Sequence, residues 1–121
     1  MKTYIGVDLH YRQITYHMIT RDNDGTITRK NSMVSTDQLV EKFIPLLNED
    51  TSVCVEATGS TYAFVNKIES CTGRIFVINP QDFKEICCSG KKTDRIDAKK
   101  LATRLKMHVE DCDPDDGFPA V

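Results

Sequence analysis

The 121-residue sequence has no C-x-x-C pair, no apolar run long enough to span a bilayer, and no internal repeat or low-complexity segment. Its five cysteines (Cys54, Cys71, Cys87, Cys88 and Cys112) are odd in number and two are adjacent, which indicates neither a disulfide framework nor a zinc knuckle. Free thiols in a reducing compartment are expected. The opening MKTYIGVDLH has its apolar stretch cut short by Asp8, which excludes a signal peptide. With no membrane-length run, the expectation is a soluble, cytoplasmic protein without a membrane partner. Excess charge is also missing from the chain as a whole, whose net charge is −2.

That small total hides a strong local asymmetry. Between Lys84 and Lys106 stand eight basic residues (Lys84, Lys91, Lys92, Arg95, Lys99, Lys100, Arg104, Lys106) and three acidic ones, so half of all Lys and Arg lies in this one region. The next piece, EDCDPDDG, reverses the sign with five acids. A basic face followed by an acidic tail points to a polyanionic partner.

What remains is ordinary for one soluble globular domain: 40% hydrophobic and 28% charged residues. TYIGVDL (3–9) predicts a buried strand. RQITYHMIT (12–20) alternates Ile14, Tyr16 and Met18 with polar residues, the period of a half-exposed strand. The Asp-Gly of RDNDGT predicts a hairpin turn, after which TITRKNSMV pairs back. From Thr36 a helix is expected, capped within STDQ, with Leu39, Val40, Phe43, Leu46 and Leu47 on one face and an early end or kink at Pro45. SVCVE (52–56) is a short strand, a helix follows Gly59, and RIFVINP (74–80) is a strand stopped by Asn79-Pro80. Thr93 caps a last helix running to about His108, with Ile96, Leu101 and Leu105 inward. The order β-β-β-α-β-α-β-α predicts an α/β fold: a mixed five-stranded sheet with helices on both faces, the element order of a ribonuclease H-like domain.

Four carboxylates stand out on this pattern. Asp8 interrupts an apolar strand, where an unpaired charge costs several kcal/mol. Glu56 closes the fourth strand. Parallel neighbouring strands would bring both to the carboxyl edge of the sheet, where α/β proteins bind ligands. Asp94 and Asp97, three apart, share a face of the last helix. Four converging carboxylates repel unless a divalent ion joins them, and hard oxygen ligands select Mg²⁺ or Mn²⁺. Singly, each has a plainer role: Asp8 as a strand cap, Glu56, Asp94 and Asp97 as acids favoured by helix dipoles. Their joint placement at element ends favours the metal site. His10, two residues past Asp8, reads as a surface histidine, and ATGS before a helix as simple capping. Neither Ser60 nor Cys54 has a base beside it in sequence, so neither is assigned as a nucleophile.

YIGVDLH, VCVEATGSTY, VINPQDFK and KKTDRIDAKKLA, in that order, resemble the N-terminal domain of DEDD-type insertion-sequence transposases of the IS-one-ten group. The resemblance implies a RuvC-like domain of ribonuclease H fold over residues 1–109, whose four catalytic, metal-binding acids match Asp8, Glu56, Asp94 and Asp97. Residues 110–121 would be an acidic linker or tail leading to a C-terminal transposase domain that carries a serine nucleophile and is absent from this chain. The implied function is metal-dependent DNA cleavage and joining in transposition. DNA and a structured element-encoded RNA are the implied partners, and a homo-oligomer is expected for the full-length protein. Lys91, Lys92, Arg95, Lys99 and Lys100 would bind phosphates. Two other readings stay open within the fold: a self-sufficient RuvC-like nuclease, and a non-catalytic nucleic-acid-binding remnant. An actin-like phosphotransferase also opens with GVD but needs a glycine and a hydroxyl next, and DLHYR supplies neither.

Overall fold

The computed structural model describes residues 1–57, 61–78 and the helix 94–111. Five strands form one sheet: β1 (Lys2–Leu9), β2 (Gln13–Arg21), β3 (Ile27–Ser35), β4 (Thr51–Glu56) and β5 (Arg74–Ile78), in spatial order β3-β2-β1-β4-β5. The first three are antiparallel; β4 pairs parallel to β1 and β5 parallel to β4. The β2–β3 hairpin turns where the sequence places Asp-Gly. Gly25 takes φ +90°, its N–H donates to the Asp22 carbonyl at 2.9 Å, and Asp24 accepts from the Thr26 N–H at 2.9 Å.

Strand alternation sorts the core into two layers. Ile5, Val7, Leu9, Ile14, Tyr16, Val53 and Val55 face one way, against Leu39, Phe43 and the helix α1 (Thr61–Ile68) with its buried Phe64 and Ile68. Tyr4, Ile19, Cys54 and Ile78 face the other way, against Leu101, Ala102 and Leu105 of the helix α2 (Asp94–Asp111). Elements therefore pack on both faces of the sheet.

Two local expectations are corrected. The segment after β3 is not an α-helix. It runs as a 3₁₀ turn (Thr36–Gln38), a π turn (Leu39–Phe43) and a second 3₁₀ turn (Ile44–Leu46). Ser35 does cap it, accepting from the Asp37 N–H at 3.4 Å. Pro45 accounts for the irregularity: it has no N–H for the Glu41 carbonyl, and its ring crowds that position. The ladder widens to the Ile44 N–H→Leu39 bond just before it and then tightens. The change of pitch turns Val40 outward, to 66% exposure, while Leu39 and Phe43 stay buried.

Nor is β2 half-exposed. Its polar residues Thr15 and His17 are 3% and 2% exposed, because they lie on the α2 side of the sheet. Thr93, the expected cap of the last helix, and Lys91 and Lys92 lie outside the described residues.

Candidate metal and nucleic-acid site

Asp8 and Glu56 end neighbouring parallel strands. Val7 pairs with Val55, and the next residue on each strand is the carboxylate. By alternation both project to the side that holds Tyr4 and Cys54, the side that α2 covers. Asp8 is 9% exposed although it is an acid in an apolar strand. His10 places Nε2 3.4 Å from its Oδ2, from a ring that is itself 47% exposed. Glu56 is partly buried, and its carbonyl accepts the Thr61 hydroxyl at 2.9 Å, which ties the end of β4 to the start of α1.

The direction of α2 sets which of its ends meets these acids. Its C-terminal part lies over the start of β1. Tyr4 packs with Leu101 and Leu105, and Glu110 meets Arg21, the residue opposite Lys2, at 2.8 Å. In mid-helix it touches Gly6: a Cβ there would stand 2.2 Å from the Ala98 carbonyl oxygen and 2.3 Å from the Ala102 nitrogen. One helical turn from Ala98 back to Asp94 advances about 6 Å, and two strand residues from Gly6 to Asp8 advance about 6.6 Å. The backbone of the first turn of α2, Asp94 to Asp97, therefore reaches the end of the sheet where β1 and β4 finish. The side chains of Asp94, Arg95 and Asp97 lie outside the described set.

Among the described residues, no three His, Cys, Asp or Glu side chains form a group that could hold a metal ion. The two described acids still fit a divalent cation in type. They are hard oxygen donors, on neighbouring strands and removed from full solvation, at an edge that the backbone of the first turn of α2 reaches. Cys54 does not join them chemically: burial, and secondarily Glu56, hold its thiol well above its usual range, so it stays protonated. Of the candidate phosphate ligands, Lys99 is exposed and Lys100 half-buried on α2.

Sequence reasoning missed two residues that shape this face. Gly6 permits the close approach of α2; a glycine inside a strand is the available signal. His17, opposite Gly6 on β2, is buried beneath α2 and donates from Nδ1 to Asn31 Oδ1 at 2.5 Å, while Arg29 Nη1 lies 3.4 Å from its Nε2. Burial pushes its pKa down; Arg29 and Lys99 push the same way, and the Asn31 bond only partly opposes them.

A family model of transposases, that of the IS110 group of DEDD enzymes, matches residues 5–114. Among curated proteins none matches. In fold the chain is similar to Thermus thermophilus RuvC, with a TM-score of 0.66 at 10% identity, over 98% of this chain and 99% of that one. It is similar as well to T. thermophilus RuvC in complex with a Holliday junction substrate, at TM-score 0.60 and 8% identity, over the same shares of the two chains. The sheet order and helix placement are thus those of a RuvC-like fold. No helix among the described residues is long and apolar enough to cross a membrane.

Proposed function

The chain belongs to the IS110 group of DEDD transposases, and from that premise we propose that it is the metal-binding, DNA-contacting domain with which such an enzyme cleaves and rejoins strands. The observation that carries the reading is Asp8: a carboxylate 9% exposed at the end of the central strand, beside Glu56 on the face covered by α2. Asp8, Glu56, Asp94 and Asp97 would hold Mg²⁺ or Mn²⁺. When bound, such ions supply charge stabilisation at a phosphodiester and activate or position an attacking oxygen. The chain's own residues orient and exclude water. Val7 and Val55, buried on the opposite face of the sheet, fix the two strand ends that carry the carboxylates, and α2, held close at Gly6, lies over the face to which the carboxylates project.

Lys91, Lys92, Arg95, Lys99 and Lys100 would bind the DNA backbone. The RuvC relative solved with a Holliday junction substrate supports a branched DNA as the partner. An element-encoded RNA, a homo-oligomeric full-length protein, and the division into a 1–109 domain and a 110–121 linker to a serine-bearing domain belong to the same proposal. Fluorescence anisotropy with a four-way DNA junction tests it. Mn²⁺ should tighten binding by the parent but not by Asp8→Asn or Glu56→Gln. A metal response surviving in both variants would remove the site.

A second reading, a self-sufficient nuclease, is favoured by the fold match over 99% of the RuvC chain. Mn²⁺-dependent nicking of the junction by this chain alone, absent in Asp8→Asn, would select it over the first.

A further inference from the structure

The sheet is wider than the helix that covers it. On the α2 side, the helix packs over β1, β2 and β4, and β3 extends beyond it. By alternation β3 presents Ile27, Arg29, Asn31 and Met33 on that side, and all four are exposed. The helix and the uncovered strand make a step. Lys99, exposed on α2, stands on the wall of the step, and Arg29 on its floor.

Arg29 is not simply a solvated edge charge. The ring of His17, buried at 2% exposure, lies beneath it with Nε2 3.4 Å from Nη1. The other ring nitrogen is 2.5 Å from Asn31 Oδ1, an atom that can only accept, so Nδ1 carries the hydrogen. In the neutral ring, Nε2 is then left as an acceptor aimed at the guanidinium. A short chain, Asn31 to His17 to Arg29, thus fixes the arginine from below with no carboxylate. Among the described residues, neither Arg29 nor Lys99 has an acidic partner, whereas Lys106 on the same helix is paired with Glu110 at 2.7 Å. The field of Lys99 reaches the same imidazole that Arg29 touches. Two cations are therefore held around one neutral buried ring, an arrangement whose repulsion a polyanion would relieve.

We propose that this step between α2 and β3 is a track for the phosphate backbone of duplex DNA, with Arg29 and Lys99 contacting phosphates and His17 and Asn31 acting as positioning residues for Arg29. The inference rests on the DNA-contacting reading above and extends its surface from the helix across to the sheet edge. A plain anti-aggregation role accounts for a charged edge strand in general. It does not account for a buried histidine spent on orienting the charge.

The salt dependence of binding to a short duplex DNA tests the inference, on the full 121-residue chain. Four proteins are compared: the parent, Arg29→Gln, Lys99→Gln, and Lys30→Gln, whose side chain leaves β3 on the opposite face. Arg29→Gln and Lys99→Gln should each lower the slope of log affinity against log salt by about 0.9, and Lys30→Gln should leave it unchanged. In the parent the His17 ring resonances should move on adding DNA, and in Arg29→Gln they should move less. A flattened slope for Lys99→Gln with none for Arg29→Gln would overturn the track while leaving the basic helix as the contact. Unchanged slopes in both, with metal-dependent junction binding intact, would move the DNA elsewhere. An Arg29-dependent slope with a structured RNA but not with duplex DNA would overturn the assignment of the partner.

Discussion

Gly6 of β1 and Ala98 of α2 meet backbone to backbone: a methyl group on Gly6 would lie 2.2 Å from the Ala98 carbonyl oxygen. No side-chain rotation relieves that contact, because the obstructing atom belongs to the helix itself. The glycine therefore sets the height of α2 above the sheet, and with it the approach of the helix's first turn to Asp8 and Glu56.

Gly6→Ala should accordingly lift or tilt the helix. Overpacking of this kind costs on the order of 1–3 kcal/mol. The first measurement is a thermal melt followed by circular dichroism, which should show a clear drop in midpoint. The second is the Mn²⁺ response of junction binding, which should weaken further than stability explains. An unaltered melt would mean that the helix does not sit on Gly6.

Much of this arrangement was legible in the sequence. Runs rich in β-branched and aromatic residues, bounded by an Asp-Gly turn and an Asn-Pro stop, gave all five strands. The interruption of an apolar strand by Asp8 singled out the candidate site, since a buried charge is informative where an exposed one is not. Three things were hidden. Pro45 was visible as a disturbance, but how the ladder would re-form around it depends on packing of Leu39 and Phe43. The polar side of β2 read as solvent-facing, because period alone cannot tell water from a helix that arrives 80 residues later and leaves His17 a partner. Gly6 looked like any strand glycine until its neighbour across the layer was known.

His17 makes stability depend on pH in a defined direction. Its folded pKa lies below the usual histidine value of 6.5, chiefly from burial, with Arg29 adding to the effect. The unfolded chain therefore binds the proton more readily. The contribution of the neutral ring is fully present above about pH 6.5 and is lost progressively as pH falls from there through the folded pKa. Melting midpoints of the parent should fall more steeply below that pH than those of His17→Gln. Parallel curves for the two proteins would show that the ring is not held neutral.

At the other end of α2, Glu110 Oε1 forms an ion pair with the Arg21 guanidinium at 2.8 Å and Oε2 accepts from Lys106 Nζ at 2.7 Å, with the Glu110 side chain 16% exposed. Burial and the same carboxylate raise the pKa of Tyr4, which keeps the phenol protonated as a donor. Glu110→Gln retains the shape and removes the charge, leaving two cations over a partly buried patch. A loss of about 1–2 kcal/mol is expected in urea unfolding, reduced from the full value of a buried charged bond because Arg21 is 42% exposed. A variant as stable as the parent would mean that apolar packing at Leu101 and Leu105 alone anchors the helix.

The last prediction separates a metal site from a chance grouping of acids. If Asp8, Glu56, Asp94 and Asp97 converge, the metal-free protein carries their mutual repulsion in the folded state, and neutralising one of them relieves part of it. Glu56→Gln should then melt above the parent in a chelating buffer. Adding Mn²⁺ should reverse the order. The parent gains stability by binding the ion only when folded, about 2.7 kcal/mol at a hundredfold excess over Kd, and the variant with one ligand fewer gains less. Packing cannot imitate this crossing, since the two side chains are nearly the same size and manganese does not act on an amide left alone. Ionic strength does not imitate it either, provided that matched NaCl leaves the order unchanged. Curves for parent and variant that rise together with Mn²⁺ would show that Glu56 takes no part in holding the ion.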